Sequence, residues 1–253
     1  YYLVVIMSSK KEINAELNLY YNLESVLKES FQNGIVFLDS SVIISRLSLL
    51  ELLRVEPFSR DKFVYLKQVN LKLSKFFLDL ENFYILPGVQ NELIYGIKKA
   101  EEKQKALLET YGDKHLKHIN ATLHYHRELV NSFNVFDFNG FLGRNSKDFP
   151  LSEIEVQQTQ IINGIIPKVP RKNGRFVSRV DVNQVVLAMQ IAKYTNTNIA
   201  NVSADVSDFT KILRVLVNDY RNLSFHTNTN YGLVKFPKNG KRIERVKLGD
   251  YLR

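Results

Sequence analysis

An α/β fold with a mainly parallel sheet is what this sequence predicts, on three observations. Short runs, IVFL at 35–38, FYIL at 83–86 and NIANVSA at 198–204, read as strands, and the continuous apolar IVFL is of the sort that fills a strand buried on both faces. Segments of helical periodicity separate them, and that alternation is the mark of strand–helix–strand units in a parallel sheet. Two of the runs lead directly into aspartate, at Asp39 and Asp205, and in such sheets ligands bind beyond the carboxyl ends of the strands.

The elements follow in order. A helix is expected over 8–33, where Ile13, Leu17, Tyr20, Leu27 and Phe31 share one face and Gly34 ends it. The first strand occupies 35–38. Helical pattern then runs to about Leu80, broken near Pro57. The second strand, 83–86, is closed by Pro87-Gly88, and a helix starting near Val89 carries Glu92 in its first turns. A charged helical stretch reaches about Phe133, with a break at Gly112-Asp113, and 134–138 reads as a third strand. Residues 139–179 read as loop-rich, from Gly140, Gly143, Pro150, Gly164, Pro167, Pro170 and Gly174. Asp181 opens a strong helix, DVNQVVLAMQIAKY. The fourth strand, 198–204, is followed by a helix near Asp208 and a fifth strand at 223–227. The tail, 228–253, is expected as a basic hairpin turning at Asn239-Gly240. One domain over 1–253 is expected, with a helical insertion at 97–178.

Composition narrows the function. Hydrophobic content of 45% and charged content of 24% provide a core and rule out disorder over most of the 253 residues. The absence of cysteine excludes a disulfide framework, thiolate zinc sites and a Cys nucleophile. Lys+Arg 35 against Asp+Glu 26 leaves a net charge of +9, which favours an anionic partner; a merely basic protein is the plainer alternative. No apolar run approaches the roughly 18 residues of a membrane span, so no membrane partner is expected. The opening YYLVVIM places its apolar residues before the lysines, the reverse of a secretory signal. A cytoplasmic location is expected. Dinucleotide, P-loop and G-x-S-x-G patterns do not occur. An aspartyl phosphatase would need a second Asp two residues after Asp39, where this chain has Ser41.

The acids carry the chemistry. With parallel, adjacent strands, Asp39, Glu92, Asp181, Asp205 and Asp208 gather at one sheet edge. Two like charges at ~4 Å repel by about 4 kcal/mol at an effective dielectric near 20. Either some of them hold protons, or a hard cation such as Mg²⁺ or Mn²⁺ neutralises them. Taken singly, Asp181 or Asp208 also reads as a helix N-cap, and Glu92 as a solvated first-turn acid. Their joint placement is the argument.

The order of these blocks resembles the PIN-domain nucleases. Their opening strand ends D-[TS]-[SN]-x-[LI]-[IV], matched in full by Asp39, Ser40, Ser41, Val42, Ile43 and Ile44. NEL at 91–93 puts Glu92 where the family has a glutamate early in the helix after the second strand. DVNQVVLA matches the third acid at the head of a small-apolar helix, with Asp181 and, seven residues on, Ala188. VSADVSDF matches the final [TS]-x-D element followed by Asp and Phe, here Ser203, Asp205, Asp208 and Phe209. The matched blocks lie within about 34–210. The gap from Asp205 to Asp208 is one residue longer than the usual T-x-D-x-D-F, which ranks Asp208 behind the other acids. The gap from Glu92 to Asp181 is much longer than in the small toxin ribonucleases.

This resemblance implies a three-layer fold and a metal-dependent endonuclease, usually a ribonuclease, with RNA ahead of DNA as substrate. It implies Asp39, Glu92, Asp181 and Asp205 as catalytic residues that, with Asp208, hold Mg²⁺ or Mn²⁺. Ser41 and Ser203 would supply hydrogen bonds to substrate or to the ligands, and Ser41 also reads as a helix cap. An antitoxin or a second copy of the chain is the partner it suggests. The alternative is a catalytically inactive PIN-like module that binds RNA or a protein partner.

Three further features stand beside the acids. The loop before Asp181 carries Lys168, Arg171, Lys172, Arg175 and Arg179 and no acid. Arg171, Lys172, Arg175 and Arg179 are candidates for binding substrate phosphates, against the alternative of a solvated loop. The tail adds Lys235, Lys238, Lys241, Arg242, Arg245 and Lys247, which read as solvated. In HLKHINATLHYH, His115, His118 and His126 share a helical face that could bind zinc, but solvated side chains or nucleic-acid contacts fit this segment better.

Overall fold

A computed structural model of the chain describes residues 34–44, 81–111, 116–145, 151–171, 174–220, 230–236 and 243–246. It also describes positions 18, 21–23, 25–27, 68, 71–72, 75 and 78–79. The described strands are β1 Ile35–Leu38, β2 Phe83–Ile85, β3 Asn134–Val135, β4 Ile199–Ser203, β5 Tyr231–Lys235 and β6 Glu244–Val246. They form one sheet in the order β3-β2-β1-β4-β5-β6. The first five are parallel, and β6 returns antiparallel along β5. The helices are α1 Ser40–Ile44, α2 Pro87–Tyr111, α3 Leu116–Ser132, α4 Phe138–Asn145, α5 Leu151–Ile165, α6 Arg179–Thr195 and α7 Val206–Asp219. They flank the sheet as the outer layers of a three-layer α/β fold. Among the described residues no helix is long and apolar enough to cross a membrane.

The apolar runs lie where burial is greatest. Every residue of β1 and β4 is buried, because each has a strand on either side and helices over both faces. Phe37 of β1 meets Phe136 edge-on, with ring centroids 5.0 Å apart. Helix α6 is buried at Val182 and at every residue from 184 to 192, since it lies against α4, α5, α7 and the strands β4 and β5. A helix enclosed on all sides has no need of a polar face.

One topological fact positions the site. From β1 the chain passes to β2 on one side, whereas β4 pairs with β1 on the other. In α/β sheets the carboxyl ends of two such strands, where the strand order switches, are the place at which ligands bind. Asp39 and Ser203 stand at those ends.

The structure departs from expectation in several places. Much of 139–179, expected as loop, is helical: α4 and α5 fill it, followed by a 3₁₀ turn at Ile166–Lys168. Ile154, Ile161, Ile162 and Ile165 of α5 are buried, so apolar spacing outweighs the glycine and proline punctuation. Within this helix a glycine stands at Gly164 because a Cβ there would clash with the Tyr220 hydroxyl. Gly164→Ala should lower stability by about 1 kcal/mol through overpacking, read from the urea midpoint; an unchanged midpoint would mean that Tyr220 moves at no cost.

The third strand is shorter than expected, because Phe138 begins α4 and the Asp137 carboxylate accepts the Gly140 N–H at 3.0 Å. The segment 97–178 supplies β3 to the sheet as well as helices. The strand expected at 223–227 lies outside the described residues. The strand beside β4 is β5, which doubles as the first arm of the C-terminal hairpin. The turn at Asn239-Gly240 also lies outside the described residues, as does most of 45–80. Of the N-terminal helix, positions 18, 21–23 and 25–27 are described and helical, with Leu23 and Leu27 buried.

Candidate active site

Asp39 is 4% exposed at the end of β1. Its Oδ2 accepts the Ser203 hydroxyl at 2.7 Å and also the Ser41 hydroxyl. Those hydroxyls in turn accept backbone N–H groups, Ser41 from Ala204 at 3.0 Å and Ser203 from Asp205 at 3.0 Å. A hydroxyl has one proton to give, and both protons go to Asp39. The ends of β1 and β4 are thus joined through a single carboxylate oxygen, which holds Asp39 in one orientation.

Glu92 and Asp181 come from helices whose starts meet. A Cβ on Gly88 would lie 3.2 Å from the Val180 side chain, so the glycine permits the approach of α2 to α6. Glu92 Oε2 accepts the Ser40 hydroxyl at 2.7 Å. Burial raises the Glu92 pKa, the Ser40 hydroxyl lowers it, Asp39 raises it and Arg171 lowers it; the net direction is upward.

Asp181 is in the first turn of α6 and is not its cap. That position is Ser178, whose hydroxyl accepts the Asp181 N–H at 3.2 Å. Burial pushes the Asp181 carboxyl from 3.8 to about 7, and repulsion from Asp39 adds to it. Arg171 pulls it down, while Glu92 and Asp208 push it up.

Asp208 completes the group. It sits in the first turn of α7, buried, and Arg171 bridges it to Asp181. Arg171 Nε donates to Asp208 Oδ2 at 2.7 Å, and Nη2 donates to Asp181 Oδ2 at 2.8 Å. Lys211 Nζ lies 3.6 Å from Asp208 Oδ1 at the margin. Arg171 arrives on a hairpin built by Val177 N–H to Val169 O, 3.0 Å, and Arg171 N–H to Arg175 O, 2.7 Å. Val169 and Val177 anchor it in the core.

The remaining described candidates lie outside this cluster. Asp205 is exposed at the N-cap position of α7, makes no side-chain cap bond and accepts the Ser207 hydroxyl at 2.8 Å. Arg175 and Arg179 are exposed, and Lys172 lies outside the described residues. His124 pairs with Glu128 at 3.1 Å on the surface of α3; His115 and the side chains of His118 and His126 lie outside the described residues. Ser40 was missed by the sequence reading, although its place directly after Asp39 could have marked it. Among the described residues no three His, Asp or Glu side chains form a ready metal-holding group. Among the described residues, the cations paired with these acids are the Arg171 guanidinium, bonded to Asp181 and Asp208, and Lys211, beside Asp208. Comparison with family models, with curated proteins and with solved structures returned no match.

Proposed function

We propose that this chain is a metal-dependent endonuclease that hydrolyses phosphodiester bonds, with RNA ahead of DNA as substrate. One observation carries the reading: Asp39, Glu92, Asp181 and Asp208, from four separate elements, converge at the strand-order switch. The resemblance of their sequence blocks to the PIN-domain nucleases supports it.

The donor set suits Mg²⁺ or Mn²⁺, because it consists of carboxylate oxygens. The Asp181 carboxyl is raised to about 7 first by burial and then by repulsion from Asp39, with Glu92 and Asp208 adding to it, so a cation held beside it would favour its charged form. Asp39, Glu92, Asp181 and Asp208 would hold the ion. When bound, such an ion activates water and offsets charge on phosphoryl oxygens. The chain's own contribution is positional. Ser41 and Ser203 fix Asp39, Ser40 orients Glu92, and the exposed Arg175 and Arg179 would take substrate phosphates. Asp205 would stand at the margin of the cluster.

The inactive-module reading also has a specific observation in its favour, the arginine already bonded to two of the acids. Incubation with end-labelled RNAs in Mg²⁺, Mn²⁺ or EDTA separates the two. The nuclease cuts only with metal. Binding without cleavage of any RNA or DNA under all three conditions would favour the module.

Millimolar Mn²⁺ should raise the Tm by at least about 2 °C over EDTA, because a ligand bound only by the folded state stabilises it. The rise should be larger at pH 8 than at pH 5, where Asp181, raised to about 7 chiefly by burial, holds its proton. Superimposable melting curves would remove the metal from the proposal.

A further inference from the structure

We propose that Arg171 is a built-in counter-cation that a divalent ion must displace from Asp181 and Asp208, freeing the guanidinium for a substrate phosphate. The inference rests on the reading of the cluster as a metal site.

Three observations lead to it. The guanidinium stands between two of the acids and bonds both, at 2.7 and 2.8 Å. Its side chain is 36% exposed, while those of its partners are only 13% and 9% exposed. The acids are enclosed and the arginine has an open path to solvent. The guanidinium is also carried by a separate element. Asp181 and Asp208 belong to helices packed in the core, whereas Arg171 sits on a short hairpin that turns through Gly174 at φ +75°. Its withdrawal would leave α6 and α7 in place.

The exchange leaves the acid cluster one unit more positive, since a divalent ion brings twice the charge of the guanidinium it replaces. The released fork finds an equivalent partner, since guanidinium binds phosphate in the same two-point manner as carboxylate. Arg175 and Arg179 are exposed on the same stretch of chain and would extend the phosphate track. Carboxylates and phosphate thereby exchange cations, and the cluster becomes competent as substrate and metal arrive.

The test compares the full chain with Arg171→Gln and Arg171→Lys. Calorimetric titration with Mn²⁺ should give at least about 10-fold tighter binding for Arg171→Gln, equivalent to about 1.4 kcal/mol of removed competition. Arg171→Lys, which keeps the charge but loses the fork, should fall between. In wild type the Arg171 Nε–H resonance, held by Asp208 in EDTA, should shift and exchange faster with solvent as Mg²⁺ is added. Equal Mn²⁺ affinities with an unmoved Nε–H resonance would overturn the displacement and leave the metal site standing. Absence of Mn²⁺ binding by all three proteins would remove the metal reading and the displacement together.

Discussion

Asp39→Asn is expected to cut metal-dependent cleavage by at least about 10²-fold, or roughly 2.7 kcal/mol of transition-state stabilisation. The substitution keeps size and shape, so β1 and its packing should survive. Two hydroxyls, from Ser41 and Ser203, donate to the same Asp39 oxygen. An asparagine must therefore keep its carbonyl toward them and turn its NH₂ toward the acids. The cluster then loses a negative charge and receives a donor where a cation should sit. RNA binding should persist or tighten, because less negative charge faces the phosphates. The measurement is single-turnover cleavage of labelled RNA in Mn²⁺ and in Mg²⁺, with binding followed in EDTA. A variant that cleaves as fast as wild type would place the activity elsewhere in the chain.

The second large effect is on stability. Folding raises the Asp181 pKa from 3.8 to about 7, so the folded state binds this proton more tightly than the unfolded one. The stability contributed is full below the unfolded value and is lost as pH rises through about 7. Across the whole window it amounts to about 4 kcal/mol. Asp181→Asn removes the charge that is costly above pH 7, together with the Arg171 ion pair. In EDTA at pH 8 the variant should be more stable by about 2 kcal/mol. Near pH 5, where wild-type Asp181 already holds a proton, the gain should vanish. Urea unfolding at the two pH values measures it, and an equal difference at both would contradict the electrostatic origin. The same variant should lose the thermal gain from Mn²⁺ expected of wild type.

Some of the site was legible because it is written in short-range pattern. IVFL followed by Asp39 reads as a buried strand delivering a carboxylate to a sheet edge, and that is where Asp39 lies. Glu92 and Asp181 were legible as acids near helix starts. The rank of Asp205 and Asp208 was not. They are three residues apart, a spacing that inside a helix puts two side chains on one face, but Asp205 is the N-cap residue of α7, with non-helical backbone at φ −117° and ψ 71°, and is exposed, while Asp208 in the first turn is buried. Their spacing does not say at which residue the helix begins. The helices in 139–179 were obscured for a related reason: Gly140, Gly143 and Gly164 read as breakers when viewed locally. Tyr220, 56 residues away in sequence, supplies the packing reason for Gly164.

Sequence alone determined the α/β class and the strands before Asp39 and Asp205, because buried strands leave a residue-by-residue signature, and it pointed Asp39, Glu92 and Asp181 toward one sheet edge through their strand-end and helix-start positions. Only the tertiary structure decided which acids face one another and what stands between them. Arg171 is 10 residues from Asp181 and 37 from Asp208 along the chain, yet one guanidinium bonds both. The charge on Asp181 depends on burial and on the distances to Asp39, Glu92, Asp208 and Arg171. Electrostatic interaction is set by separation in space and by exclusion of water, and neither is a property of residue order.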